Sequence, residues 1–172
     1  MESIKTILAS RFNKDAFLSA ITSDNEKMDE TFRIAIGNEH PIAWRAAWVL
    51  NHALKKETLL IKLHESELIE SIPHKEAGHQ RELLKLLEKI EIEEEYEGIL
   101  FDQCVSIWER IEKSPSVRVV AFRVIGKIAT KYPEMKNEIE FLTQDHYVEG
   151  LSPGIKRSFQ KILAKMQVRF YT

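Results

Sequence analysis

Three tryptophans and a row of cations are the residues of this chain best equipped for recognition chemistry. Trp44 and Trp48 stand four apart, which puts both indoles on one face of a helix, and an indole face can stack a base, a peptide aromatic ring or a methylated cation. Beside alanines, the same spacing also suits two rings that fill the space between packed helices. Arg157, Lys161, Lys165 and Arg169 rise in steps of four, and residues 150–172 contain no acid. On a helix they form a positive stripe opposite Ile155, Phe159, Ile162 and Met166, able to contact phosphates or an acidic partner. A terminal helix needs a solvated outer face in any case, so the stripe has a structural reading too. Arg118, Arg123 and Lys127, with Lys131 and Lys136, carry the basic character back toward residue 115.

Catalytic and metal chemistry find less support. The run Glu91, Glu93, Glu94, Glu95 and Glu97 offers carboxylates, but on a helix they splay around the axis, and in a first turn the helix dipole already accounts for them. His74 and His79 are five apart, about 140° around a helix, so they cannot chelate one ion there. His40, His52 and His64 fall on separate elements. No HExxH, EF-hand loop, phosphate-binding lysine loop or GxSxG elbow is present. Cys104 lies on an apolar stripe and reads as a small buried hydrophobe. The chain therefore points to no catalytic residue, no metal and no cofactor.

The elements that must position these residues are helical. Six glycines and five prolines among 172 residues, with 30% charged side chains and abundant Leu, Ile, Ala, Lys and Glu, favour helices. Tyr96, Leu100, Cys104, Ile107 and Ile111 recur at three- and four-residue steps, and no stretch sustains a period of two. The spacing predicts helices near 2–10, 14–22, 24–37, 41–55, 57–71, 76–90, 93–112, 115–131, 134–147 and 153–169. Asp24 and Ser114 or Ser152 are N-cap candidates, with Pro115 and Pro153 at first helical positions. Length fits one domain, a lone cysteine excludes an internal disulfide, and "MESIKTILASRF" lacks a signal-peptide core, so the expectation is a cytoplasmic protein that does not enter membranes. Residues 75–114 hold 6 Lys/Arg against 11 Asp/Glu and residues 115–172 hold 10 against 5, which predicts a charge dipole along the length.

The helices also repeat. "HPIAWRAAWVL" (40–50), "SPSVRVVAFRVIGKIA" (114–129) and "SPGIKRSFQKILAKM" (152–166) share a pattern, and Arg45, Arg81, Arg118 and Lys156 recur at intervals of 36, 37 and 38. Two helices within such a period are the mark of a helical solenoid. In 41–55, Ala43, Ala46, Ala47, Leu50 and Leu54 form one apolar stripe flanked by Trp44 and Trp48 on one side and Ile42 and Val49 on the other, as expected of a helix covered by several neighbours.

"VRVVAFRVIG" (117–126) resembles the first helix of a HEAT repeat, with Val117-Arg118, Ala121 and Ile125-Gly126 in the V-R-x-x-A-x-x-x-L-G pattern, and "WRAAWVLN" is similar with a one-residue slip. The resemblance, to the HEAT and armadillo repeats, covers roughly 41–169. It implies an all-α, right-handed α-α superhelix of antiparallel helix pairs in one domain, residues 1–40 forming N-terminal capping helices and 41–172 about four imperfect repeats. It further implies a non-catalytic scaffold whose second helices present a concave surface to a protein or peptide, with Arg118, Arg123, Lys127, Arg157, Lys161, Lys165, Arg169, Trp44, Trp48 and Trp108 as candidate contacts. "WERIE" (108–112) followed by Arg118 and Arg123 is similar to the HEAT-like DNA alkylpurine glycosylases, a resemblance that implies nucleic-acid binding related to DNA alkylation repair as the alternative. Neither oligomeric state nor the partner's identity is legible at this level.

Overall fold

A computed structural model describes residues 3–170, with side chains described through Gln167. Its described residues form twelve α-helices and no strand: α1 (Ile4–Ala9), α2 (Lys14–Thr22), α3 (Asn25–Ile36), α4 (Ile42–Ala53), α5 (Leu59–Leu63), α6 (Glu65–Ser71), α7 (Ala77–Leu87), α8 (Glu94–Glu109), α9 (Pro115–Ala129), α10 (Lys136–Leu142), α11 (Asp145–Val148) and α12 (Pro153–Phe170). The all-helical expectation holds. The helices divide into two compact units, Met1–Ile92 and Glu93–Thr172.

Local chemistry sets most helix ends. Asp24 accepts from the amides of Glu26 and Lys27, and Asn13 from that of Ala16, satisfying first-turn donors that no earlier carbonyl can reach. Pro115 and Pro153 open α9 and α12, where a missing N–H costs nothing. Ser114 caps α9 through its backbone carbonyl, which accepts from Val117 and Arg118, while its hydroxyl meets that of Ser116. Two predicted helices are each broken in two. The 57–71 helix divides at His64, whose backbone leaves the helical region, and the 134–147 helix divides at Thr143, whose hydroxyl bonds back to Glu140 O at 2.8 Å and competes with the helical ladder.

In the first unit α4 is packed by α1, α2, α3 and α7, so Ala43, Ala46, Ala47, Val49 and Leu50 are all fully enclosed. Small side chains at its centre let several helices approach at once. In the second unit α9 packs against α8 on one side and α12 on the other. Trp108 from α8, Phe122 from α9 and Phe159 from α12 meet ring to ring at centroid separations of 4.6, 4.7 and 5.3 Å, joining three helices through one aromatic cluster. At Gly126 the α9 backbone comes so close to α12 that an added Cβ would lie 2.9 Å from Met166 Sδ. Because α9 packs chiefly on the helix before it, the segment 117–126 is the second helix of its pair, a correction to its reading as a first helix.

The recurrent basic residue has a structural meaning. The fourth residue of α4 is Arg45, of α7 Gln80, of α9 Arg118 and of α12 Lys156, so the register runs through Gln80 and not Arg81. Arg45 donates to Leu8 O at 2.7 Å, Gln80 to Ile72 O at 3.0 Å, and Arg118 to Trp108 O and Tyr147 O at 2.8 and 2.7 Å. Leu8, Ile72 and Trp108 lie at or just past the end of an earlier helical segment and Tyr147 near the end of the later α11, places where α-helical partners for carbonyls run out. Lys75 does the same for α3, donating to Ile36 O and Gly37 O, and Lys89 for α4, donating to Asn51 O and Leu54 O. Cations at these positions also meet the negative end of the helix dipole.

His79 is buried, with Nε2 2.7 Å from Ala35 O, and burial holds its pKa below the ordinary 6.5, a direction reinforced by nearby Lys75 and His40. A depressed folded pKa means that the unfolded chain takes up the proton first. The neutral side chain therefore contributes stability that is present above pH 6.5 and is lost as pH falls through the lowered folded value. We predict that acidification below this window reduces the urea midpoint of the wild-type protein more than that of His79→Gln. Gly126→Leu should cost about 1–3 kcal/mol by forcing α12 away from α9, read from the same urea titrations.

Candidate functional site

Side chains expected to share a recognition role divide into three environments. Trp108 is fully enclosed: its indole N–H donates to Leu142 O at 2.8 Å, Phe159 stacks on it at an interplanar angle of 8°, and the Arg118 guanidinium lies 4.7 Å over its ring. Arg118 is itself only 2% exposed. Burial pushes its pKa down, while the nearby Glu112 carboxylate opposes that shift. Trp108 and most of Arg118 are thus packed into the core of the second unit, away from the exposed faces where the other candidate contacts stand, and only the Arg118 guanidinium borders a cavity.

Trp44 and Trp48 sit half-buried on α4 in the first unit. The Trp44 indole nitrogen is enclosed, has no hydrogen-bond partner among the described residues, and faces Gly78 of α7, whose added Cβ would lie 3.8 Å away. Trp48 packs against the His52 ring at 4.4 Å, and Lys14 Nζ lies 5.9 Å from its ring centroid. His52 is oriented by a 2.8 Å contact between its Nδ1 and Trp48 O. The two rings are therefore partly packed and partly offered to solvent. Lys14 and His52 complete this patch; helical spacing from Trp48 pointed to His52, whereas Lys14 arrives from α2 and carried no local signal.

The third environment is basic. Arg123 and Lys127 are half-exposed on α9, and Arg157, Lys161 and Lys165 are exposed on α12. Arg169 belongs to the last turn of α12 by its backbone, but its side chain lies outside the described residues. The seam between the two helices passes through Gly126 with Ile162 and Met166, so Arg123 and Lys127 flank it from α9 and Lys161 and Lys165 from α12. Neither α9 nor α12 contains an Asp or Glu, and α8 contains Glu94, Glu95, Glu97, Asp102 and Glu109 without a single Lys or Arg. Charge on α8, α9 and α12 is thus sorted by helix, whereas α10 carries both signs. The acidic α8 and the basic α9 belong to one unit.

On the acidic side the glutamate run is engaged by the fold itself. Glu94, Glu95 and Glu97 occupy the first turn of α8, where the helix dipole favours them. Glu97 is buried, and its two oxygens are taken by Lys131 Nζ and Tyr132 Oη. No group of three or more His, Cys, Asp or Glu side chains among the described residues is arranged to hold an ion. In the first unit the buried Glu82 is likewise matched, by Arg81 and Lys85 at 3.0 Å and by Asn51 Nδ2 at 3.0 Å.

These placements separate stability from recognition by mutation. Trp108→Ala should destabilise by about 3–5 kcal/mol, and Arg118→Ala by about 2–4 kcal/mol through its orphaned carbonyls. Arg157→Ala and Lys161→Ala should each stay within about 0.5 kcal/mol of wild type. Chemical denaturation followed by circular dichroism reads all four.

A family model for the HEAT repeat domain matches residues 5–166. No curated protein and no solved structure is significantly similar to the chain.

Proposed function

The chain belongs to the HEAT repeat domain family, whose helical repeats serve as interaction scaffolds, and from that premise we propose that it binds a partner protein through an acidic segment held on the basic face of α9 and α12. The observation that carries this reading is the sorting of charge: two adjacent helices without an acid, beside a helix without a base. The exposed Arg157, Lys161 and Lys165 of α12 then give an approaching polyanion a defined place to land.

Dimensions favour a peptide. From Arg157 to Lys165 the axis rises about 12 Å, the reach of about four extended residues. Exposed Glu138 and Glu140 on α10, which packs beside α12, would repel a continuing phosphate backbone, whereas a peptide can end its acidic run there. Trp48, with Lys14 and His52 around it, offers the first unit's mixed aromatic and cationic contact. Recognition on this reading needs no bond-making chemistry.

Fluorescence anisotropy with a labelled peptide of alternating Asp and Glu, run beside a labelled DNA oligonucleotide, tests the proposal. The peptide should bind, and Lys161→Glu with Lys165→Glu should weaken it about tenfold while leaving the melting temperature unchanged. Tight DNA binding with a steep salt dependence and no peptide binding would move the strip to nucleic-acid recognition. Binding of neither would remove the proposal.

A further inference from the structure

Among the described residues, the second unit holds a buried cation, Arg118, with no carboxylate paired to it directly. Arg118 lines a cavity of about 390 Å³ together with Ile111, Pro115, His146, Tyr147 and Glu149. Its Nε and Nη2 are spent on the carbonyls of Trp108 and Tyr147. Both are neutral acceptors, and among the described residues no carboxylate lies within ion-pair distance of the guanidinium. Nη1 has no hydrogen-bond partner among the described residues, yet it is not one of the enclosed polar atoms, so it is the part of Arg118 that the cavity reaches. The acids around it are accounted for: Glu109 receives Tyr147 Oη at 3.2 Å, Glu112 acts on Arg118 through space, and Glu149 stands at the exposed rim.

We propose that this cavity binds a monoanionic carboxylate, with Arg118 Nη1 as the donor that meets it. A guanidinium that is 2% exposed and lacks an ion-pair partner is costly to keep, and a carboxylate oxygen would give it both a counter-charge and a charge-assisted hydrogen bond. Pro115 opens α9 at the cavity wall, so the positive end of that fifteen-residue helix faces the same space. Glu149 at the rim and Glu112 nearby raise the cost of every further negative charge, so a monoanion held directly by Arg118 is tolerated better than a dianion such as phosphate. The body of the ligand is aliphatic or aromatic, because Ile111 is 61% exposed at this cavity and the His146 and Tyr147 rings stand 3.8 Å apart on its wall. The volume suits a small molecule or a single peptide terminus. None of this uses a residue of α12, so the site stands or falls independently of the acidic-segment proposal.

Titration of ¹⁵N-labelled protein with benzoate, benzamide, inorganic phosphate and a short peptide bearing a free C-terminal carboxylate tests it by NMR. Benzoate should shift the Arg118 Nε–H signal and the amides of 111–118 and 146–150, while benzamide and phosphate should not. Ile111→Glu, a change at an exposed side chain, should weaken benzoate binding about tenfold by placing a second carboxylate in the mouth. Arg118→Gln should abolish binding, with the melting temperature reporting whether that variant still folds. Tighter binding of the peptide would identify a partner chain as the source, and equal binding a free carboxylic acid; either supports the site. No shift with benzoate or peptide, equal shifts with benzamide, or unchanged benzoate affinity in Ile111→Glu would overturn it.

Discussion

Helix ends leave carbonyls without partners, and this chain answers that constraint at several ends with a side-chain donor from another segment. Arg45, Gln80 and Arg118, each at the fourth position of its helix, reach back to the end of an earlier segment, and Lys75 and Lys89 close α3 and α4 in the same way. Such a bond satisfies an orphan acceptor, meets the negative end of a helix dipole and fixes the distance between successive helices. Gln80 does it without charge, so hydrogen bonding is the shared requirement and charge an addition. The packed alanines of α4 and the aromatic cluster around Trp108 then fill the space that these ties define.

One consequence is a division of labour among the cations. Arg118 is the best match to the repeat pattern, and the fold consumes two of its three nitrogens in structural bonds. The other cations of these two helices, Arg123 and Lys127 on α9 and Arg157, Lys161 and Lys165 on α12, follow helical spacing with no acid between them, and those of α12 are exposed. In α8, by contrast, every charged residue is an acid.

The repeat and the helical class were legible in the sequence because both arise from local spacing. V-R-x-x-A-x-x-x-I-G at 117–126 carries the tie residue, the small residue and the glycine of close approach in one string. In the second repeat a one-residue offset between Gln80 and Arg81 misled the reading, since a charged neighbour is more conspicuous than the amide that makes the bond. The breaks at His64 and Thr143 were hidden for a different reason: apolar periodicity continues across them, and only the backbone and the Thr143 hydroxyl interrupt the ladder. Whether a tryptophan is core or ledge depends on neighbours distant in sequence. Trp108 is sealed by Leu142, Phe122 and Phe159, while Trp44 faces a glycine that leaves space beside it.

Hydrogen exchange of the arginine side chains tests the central tie most directly. If Arg118 is locked to the end of α8, its Nε–H persists in a proton-detected ¹⁵N spectrum long after the Nε–H of exposed Arg157 has exchanged with solvent. Equal, rapid exchange of both would mean that Arg118 is solvated and that the helices are held in register by something other than the captured carbonyls.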